Sequence, residues 1–475
     1  MKRTISLFLL AFVLLGVAQA QETKSIPGGL AREMALGGSP NNTYLMDYTD
    51  IYTNPAWAVK YGDLIYSELG YSFSGYSASG QSAGFTYAVW KGLSVGLSVG
   101  KQEGPLFATN SYGTQFGGNA ADADDFLSAF NAALASNGHS PVSPSNTLRP
   151  LQVYGALKLA NLTLGFAFYR VGYSATSDYH FIGDSINATN EESYGQTGFK
   201  AGALIDMDVM LLDVSALFRI NSATGKINPP APTVSEELDA TGTELGLNAR
   251  LFMKLSDKFS LVPMARFYTF GNEPELKSIG VVVPSGDKYN SKPDKYNRTD
   301  IEFGLGSNIT VTGGRVFAGL SLESISLKHD ITSFVSGSGF VPVATLTETT
   351  TYKTSVLSLP KVNLGAEFDV ASWLTGRLGY FKAFASMKNT TDYPAPAKEE
   401  STTQTFEFKY MPSCSLAVAD QLLSLGIGLH FDRLSIDGYL CEEWLADGPF
   451  ILSGANANTG GNKMFGVVSM SYSFQ

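Results

Sequence analysis

Charged residues are scarce in this chain of 475 residues. Asp, Glu, Lys and Arg make up 16% of it, whereas roughly 25% is typical of soluble proteins. This scarcity disfavours an ordinary soluble enzyme, and the formal net charge of −10 disfavours a nucleic-acid-binding protein. Disorder is also disfavoured, because 44% of the residues are hydrophobic and can form a packed interior.

Cysteine and long apolar runs are also rare. The two cysteines are too few for a disulfide framework or a cysteine-rich zinc site. The longest, nearly continuous apolar stretch covers residues 5–17 and is shorter than the roughly 18 residues of a membrane-spanning helix. Lys2 and Arg3 precede this stretch, and Ala18-Gln19-Ala20 follow it. Residues 1–20 are therefore predicted to be a secretory signal peptide, which leaves an exported soluble protein or a membrane barrel.

Alternation of apolar and polar residues favours the barrel. Between residues 243 and 255, Leu245 and Leu251 share one face, whereas Glu244 and Arg250 share the other. The same period of two recurs over 300–311, 361–370 and 423–431, and it is the period of a β-strand with one apolar face. Runs of about ten residues exceed the usual length of strands in globular sheets and suit a tilted strand that crosses a membrane.

Short and long connections also alternate along the chain, as they do in outer-membrane barrels. The seven short connections lie near 90–92, 160–161, 207–208, 256–257, 312–314, 371–372 and 432–433. With a first strand near 64–74 and a last strand near 464–474, they give sixteen strands, and one merged hairpin would give fourteen. The predicted fold over residues 63–475 is an all-β, transmembrane antiparallel up-and-down β-barrel of 14–16 strands. Both termini would be periplasmic in a bacterial outer membrane.

Aromatic residues collect at the ends of the predicted strands. Trp90, Phe259, Trp373 and Phe431 flank short connections, as an aromatic girdle in contact with outer-membrane lipid would. The last strand carries Val468, Met470, Tyr472 and Phe474 on one face. This strand resembles the C-terminal signature that barrel-assembly machinery reads, except that Gln475 follows the final aromatic residue.

Residues 21–62 lack alternation and are rich in Gly, Asn and Asp. They contain Gly37-Gly38 and, over 47–56, the sequence Asp-Tyr-Thr-Asp-Ile-Tyr-Thr-Asn-Pro-Ala. This segment resembles the N-terminal signature of the FadL-like long-chain fatty-acid outer-membrane transporter superfamily. In that superfamily a Gly-Gly stretch and an Asp-rich segment precede aromatic-x-Asn-Pro-Ala. Trp57 departs from the pattern, because the family usually has Gly there.

The resemblance implies that residues 21–62 fold into the barrel as a hatch, with Asp50, Tyr52, Asn54 and Pro55 in the gating segment. The superfamily includes aromatic-hydrocarbon transporters and a shuttle protein of type IX secretion. The implied function is therefore transport of a hydrophobic small molecule, a fatty acid or a hydrocarbon. A barrel that shuttles exported proteins and a general porin are the alternatives.

One helix is predicted in the long outer connection 102–147. Phe126, Leu127, Phe130 and Leu134 follow helical spacing within residues 122–135. The resemblance implies that this apolar face is a landing site for hydrophobic molecules above the barrel. Packing against neighbouring loops is the alternative.

Charged residues of both signs fall on the predicted inward faces. Among them are Glu244, Arg250, Asp300, Glu302, Lys361, Glu367 and Arg377. They would pair across strands and with the hatch, or would form a polar lumen that tunes passage.

No residue pattern indicates catalysis. The four histidines lack metal-ligand spacing, and no Gly-x-Ser-x-Gly sequence occurs. We therefore expect no enzyme activity, no cofactor and no bound metal. Cys414 and Cys441 fall near the outer ends of the last strands, and both a disulfide in the oxidising compartment and two free thiols are consistent with that position.

Overall fold

The computed structural model describes most of the chain from residue 28 to residue 474. The described ranges are 28–37, 44–71, 80–100, 151–180, 187–228, 235–279, 289–290, 295–335, 346–392, 400–406, 421–440 and 465–474. The predicted signal peptide, the predicted helix 122–135 and both cysteines lie outside these ranges.

The described residues form one antiparallel β-sheet that closes on itself. Its first nine strands are β1 (Leu64–Tyr71), β2 (Gly80–Trp90), β3 (Leu93–Val99), β4 (Leu151–Leu159), β5 (Leu162–His180), β6 (Asn187–Asp206), β7 (Met210–Asn228), β8 (Ser235–Lys254) and β9 (Phe259–Ile279). The other nine are β10 (Tyr289–Asn290), β11 (Lys295–Val311), β12 (Gly314–Val335), β13 (Leu346–Ala371), β14 (Leu374–Asp392), β15 (Glu400–Phe406), β16 (Gln421–Phe431), β17 (Leu434–Leu440) and β18 (Phe465–Ser473).

The barrel closes where β1 pairs with β18, from Leu64 opposite Ser473 to Leu69 opposite Val468. The short strands β10 and β11 share one wall position beside β9, and β15 and β16 share another beside β14. The eighteen strands of the described residues therefore occupy sixteen wall positions, two fewer than the strand count. The predicted fold class is confirmed, at the upper end of the predicted strand number.

All seven predicted short connections separate consecutive paired strands in the structure. Strand length differs around the wall. Strands β5–β9 and β11–β14 have 17 to 26 residues, whereas β1–β4 and β16–β18 have 7 to 11. Because the strands align at the short connections, the additional described residues of the longer strands lie away from that end.

The two faces of the wall differ in chemistry. Large apolar side chains point outward and are exposed, as Phe166 (65%) and Leu305 (52%) are. Polar side chains on the inward face, such as Glu244 and Arg250, are buried. Trp90 and Trp373 are exposed beside short connections. The outer surface therefore has the chemistry of a lipid-facing belt.

The residues before β1 pack against the inward-facing wall. They form helix α1 (Gly29–Ala35), helix α2 (Asp50–Thr53) and a 3-10 helix (Pro55–Val59). Helix α1 contacts β1, β14 and β16–β18, and the 3-10 helix contacts β3–β6. All residues of α1 are buried. Within the described ranges, neither helix nor any other helical segment is long and apolar enough to cross a membrane.

Candidate functional site

The carboxylate of Asp213 joins the wall to the N-terminal segment, which we define as residues 28–37 and 44–62. Asp213 on β7 lies opposite Arg250 on β8, and Arg250 Nε donates to Asp213 Oδ2 at 2.9 Å. Asn54 Nδ2 donates to Asp213 Oδ1 at 2.6 Å, and Trp57 Nε1 donates to Oδ2 at 2.9 Å. All four side chains are buried. These charge-assisted bonds fix the segment against β7 and β8.

Asn54 and Pro55 start the 3-10 helix at this contact. Asn54 Oδ1 accepts from the Ala56 amide at 2.9 Å, which is an N-cap. Pro55 follows at the first helical position, where its missing N–H and its fixed φ are favourable. A methyl group at Gly202 would overlap Asn54 Oδ1, and one at Gly165 would overlap the backbone of Ala56. The wall therefore needs glycine at these two positions to admit the segment.

Asp50 and Tyr52 lie one turn earlier and also contact the wall. Arg250 Nη2 pairs with Asp50 Oδ1 at 2.8 Å, and the Asp47 amide donates to Asp50 Oδ2 at 2.9 Å. Burial raises the pKa of Asp50 to about 6, and the attraction of Arg250 opposes this shift. The ammonium of Lys200 donates to the Tyr52 carbonyl. All four residues predicted for gating are thus in the segment that faces β5–β8.

A second ion-pair cluster holds the α1 end of the segment. Arg32 on α1 forms a bidentate pair with Glu367 on β13, with Nε–Oε2 at 2.7 Å and Nη2–Oε1 at 2.9 Å. Arg32 Nη1 also donates to Asp47 Oδ2 at 2.8 Å. Glu367 accepts from Arg377 Nε at 2.9 Å, and Arg377 pairs with Asp437. The predicted lumen residues Glu367 and Arg377 therefore belong to one chain of alternating charge.

Glu68 ties α1 to the closing seam of the barrel. Its Oε1 accepts from the Leu30 amide at 3.1 Å and from Tyr48 Oη at 2.5 Å. Its Oε2 accepts from the hydroxyl of Ser469 on β18. Ser469 Oγ in turn accepts from the Ala31 amide at 2.8 Å. The first strand, the last strand and the N-terminal segment thus meet at one pair of side chains.

The other predicted lumen residues pair within the wall. Glu244 accepts from Arg219 Nη1 at 3.0 Å, and Asp300 pairs with Arg298 Nη2 at 2.7 Å. Glu302 accepts from Lys361 Nζ at 2.9 Å. The Glu244 and Glu302 pairs join different strands, whereas Arg298 and Asp300 both lie on β11.

An apolar patch lines part of the interior. Ile325, Val356, Ala385 and Met387 on β12, β13 and β14 are buried together, and Leu327 packs beside them. Ile325 lies opposite Val356, and Val356 lies opposite Met387, so the patch runs across three neighbouring strands. On its other side, Asp300 lies opposite Ile325. The lumen wall therefore carries an apolar surface beside charged groups.

Residues of these contacts that were not predicted from the sequence include Arg32, Asp47, Glu68 and Asp213. Asp213 had a usable signal, because it is a lone carboxylate on the polar face of an alternating strand, before another strand that carries Arg250. No sequence signal marked Arg32 or Asp47, since the N-terminal segment has no periodic pattern of apolar residues.

The histidine nearest to the short connections contacts the hydroxyl groups of two wall residues. His430 Nδ1 lies 3.0 Å from Ser435 Oγ, and Nε2 lies 3.1 Å from Thr375 Oγ1. Among the described residues, no group of three or more His, Cys, Asp or Glu is arranged to hold a metal ion. The predicted landing residues Phe126, Leu127, Phe130 and Leu134, as well as Cys414 and Cys441, lie outside the described ranges.

Comparison with known proteins adds distant likenesses in structure. No family model matches the chain. No curated protein matches it either. The toluene transporter TodX of Pseudomonas putida is 12% identical, with 94% of this chain and 98% of that chain covered, at a TM-score of 0.34. The ferric yersiniabactin uptake receptor FyuA of Yersinia pestis is 12% identical, with 86% and 79% covered, at 0.31. At such identities and TM-scores, these proteins do not indicate what this chain binds.

Proposed function

We propose that this protein is a bacterial outer-membrane barrel that admits small hydrophobic compounds, such as fatty acids or hydrocarbons, past a hatch formed by residues 21–62. The observation that carries the proposal is a closed barrel with an apolar outer belt, whose lumen holds the N-terminal segment and an apolar patch. An apolar outer surface is unfavourable in water and favourable in lipid.

The contacts of the segment support a gating role. A sixteen-stranded barrel without a plug would enclose a wide aqueous channel. The segment is held by the two ion-pair clusters around Asp213 and Glu367 and by the Glu68 contacts. Its covalent link to the wall lies only at β1, so a rearrangement of these polar contacts would open a path without breaking the barrel.

The apolar patch supports a hydrophobic substrate. Ile325, Val356 and Met387 are inward-facing, where a water-filled general channel would favour polar side chains. A small apolar molecule that passes the segment would gain contact with this patch, at roughly 25 cal/mol per Å² removed from water.

Uptake by cells tests the proposal. A null strain would express the full chain or the double variant Val356→Thr/Met387→Gln, and uptake of a labelled fatty acid and a labelled alkane would be measured. The full chain should raise uptake, and the double variant should lower it. Leu357→Thr, at an exposed outward position, is the matched control and should transport normally.

Three outcomes would contradict the proposal. Equal uptake by null cells and expressing cells would exclude transport of these compounds. A steady large conductance of the intact protein in a planar bilayer would indicate a general porin. Capture of exported proteins without any uptake would indicate the shuttle function.

A further inference from the structure

The outer surface of β4–β8 carries a concave apolar groove. It has a volume of about 720 Å³, within the range of small-molecule sites. Phe168, Phe199 and Phe218 lie in one row across three strands, because Phe168 pairs with Phe199 and Phe199 pairs with Phe218. The rings of Phe168 and Phe199 are 5.4 Å apart and tilted by 58°. These side chains form a raised aromatic edge.

The floor of the groove is formed by the next row of outward-facing residues, which lies closer to the short connections than the aromatic edge does. Ala201 lies opposite both Phe166 and Ala216, and Gly155 continues the row on β4. Gly155 has no side chain and Ala201 and Ala216 have only methyl groups, which leaves space between the aromatic residues. All three line the groove, which lies within the apolar belt.

A cation stands directly above the aromatic edge. Arg170 is exposed on the outward face of β5, two residues beyond Phe168 and about 7 Å along the strand from it. Arg170 pairs in register with Leu151 and Thr197, and neither residue can neutralise its charge. On the described outward faces of β4–β8, it is the first charged side chain above the apolar residues, and no carboxylate of the described residues forms an ion pair with it.

We propose that the groove and Arg170 together bind one membrane lipid with an anionic phosphate headgroup, in the leaflet far from the short connections. An acyl chain would lie between the aromatic edge and the small residues of the floor. The phosphate would accept paired hydrogen bonds from the guanidinium, whose planar fork matches a phosphate. The proposal rests on the membrane location proposed above but not on what passes through the lumen.

The charge and position of these groups favour lipid over a second copy of this chain. The outward residues of the groove offer no carboxylate that Arg170 of another copy could pair with. An arginine at the edge of an apolar belt is in the place where lipid phosphates lie. The groove is also concave. A flexible acyl chain fits into it more readily than the flat barrel wall of a second copy does.

Native mass spectrometry of the full mature protein in detergent tests the proposal. The protein would be titrated with dioleoyl phosphatidic acid and with dioleoylglycerol, which has the same chains without phosphate. Arg170→Gln should weaken phosphatidic acid binding by about tenfold and leave dioleoylglycerol binding unchanged. The double variant Ala201→Phe/Ala216→Phe, which fills the groove at outward positions that tolerate large apolar residues, should weaken binding of both lipids.

Lys388→Gln is the matched control. Lys388 is an exposed cation on the outward face of β14, away from the groove, and its loss should not change binding of phosphatidic acid. Unchanged phosphatidic acid binding by Arg170→Gln, or unchanged binding of both lipids by the filled groove, would overturn the proposal. A filled groove that instead changes the number of copies in the complex would identify a subunit interface. Failure of uptake with intact lipid binding would count against the transport proposal alone.

Discussion

The buried carboxylate of Asp213 accepts hydrogen bonds from Arg250, Asn54 and Trp57. Arg250 also pairs with Asp50, so one guanidinium neutralises two buried carboxylates. A buried charge without a partner is strongly destabilising, whereas a well-paired one is tolerated. A single substitution that removes a partner from this cluster is therefore expected to destabilise the barrel strongly.

Arg250→Met should destabilise the protein by about 3–5 kcal/mol, because it leaves Asp213 and Asp50 buried without a cation. Guanidinium-induced unfolding in lipid vesicles would measure the loss. Arg298→Met is the matched control. Its partner Asp300 is more accessible, so the cost should be smaller, nearer the ~1 kcal/mol of exposed pairs. Equal losses in both variants would contradict a special role of the Asp213 cluster.

Gly202→Ala should displace the N-terminal segment without unfolding the wall. The added methyl group overlaps Asn54 Oδ1, and alanine is fully compatible with a β-strand backbone. Hydrogen exchange of residues 44–62 should rise, and limited proteolysis should begin to cleave them. Gly155→Ala is the control, because its methyl group would meet its nearest atom, the Ser94 carbonyl oxygen, at 3.6 Å. Protection of 44–62 that stays at the wild-type level in Gly202→Ala would refute the close contact.

The packing of the segment should weaken as pH rises toward 7. Asp50 has a pKa of about 6 when buried, against a usual 3.8, so between these values the packed state binds a proton that the exposed state does not. Stability from this group is complete below pH 4 and is lost as pH rises through about 6. The shift corresponds to an energy on the order of 3 kcal/mol. Hydrogen exchange of residues 47–54, corrected for intrinsic rates, should show this trend, and Asp50→Asn should remove it.

At the scale of elements, the sequence predicted the positions of strands well and their lengths poorly. Alternation is visible where the outward face meets lipid, as over 361–370 in β13. The same strand begins at Leu346, and residues 346–355 are rich in Thr on both faces. Above the apolar belt both faces meet polar surroundings, so nothing in the pattern separates a strand from a loop.

The contacts of the N-terminal segment could not be predicted for a different reason. Its helices have 7 and 4 residues, too few for a period to emerge. Arg32 and Glu367 are 335 positions apart in the chain, and neither carries a local signal for the other. Asn54 and Pro55 were found because a short motif marks them, and the motif does not name Asp213 as their partner.

The outward face of β11 provides a test of the lipid-facing belt. Leu305→Arg, six residues from the short-connection end of the strand, should cost about 2–4 kcal/mol in folding free energy in a bilayer. Asn297→Arg, on the same face but above the apolar residues, should cost about 0–1 kcal/mol. Reversible unfolding in vesicles would measure both. Similar costs at the two positions would mean that the belt does not face lipid.

At the scale of the whole molecule, the N-terminal segment spans the inside of the barrel. Helix α1 contacts β14, β16–β18 and β1, and the 3-10 helix contacts β3–β6. The segment therefore contacts early and late strands of the wall. A change in its packing would alter the contacts of many strands.

Removal of residues 21–62 should convert a barrel of low conductance into an open pore. A sixteen-stranded lumen without its contents is wide enough for water and ions. Single-channel recording in planar bilayers would compare the intact and shortened chains, and heat-modifiable mobility on gels would verify that the shortened chain folds. A folded, shortened chain that stays silent would show that other residues close the lumen.

Ser469 on β18 accepts a hydrogen bond from the amide of Ala31, which lies 438 positions earlier in the chain. The binding surface for α1 is thus complete only after β18 has paired with β1. Helix α1 can then reach its full set of wall contacts only after the barrel has closed, although α1 precedes every strand in the chain. Until the barrel closes, α1 lacks part of its binding surface. The protection of residues 28–37 from proteases would therefore report when the barrel closes.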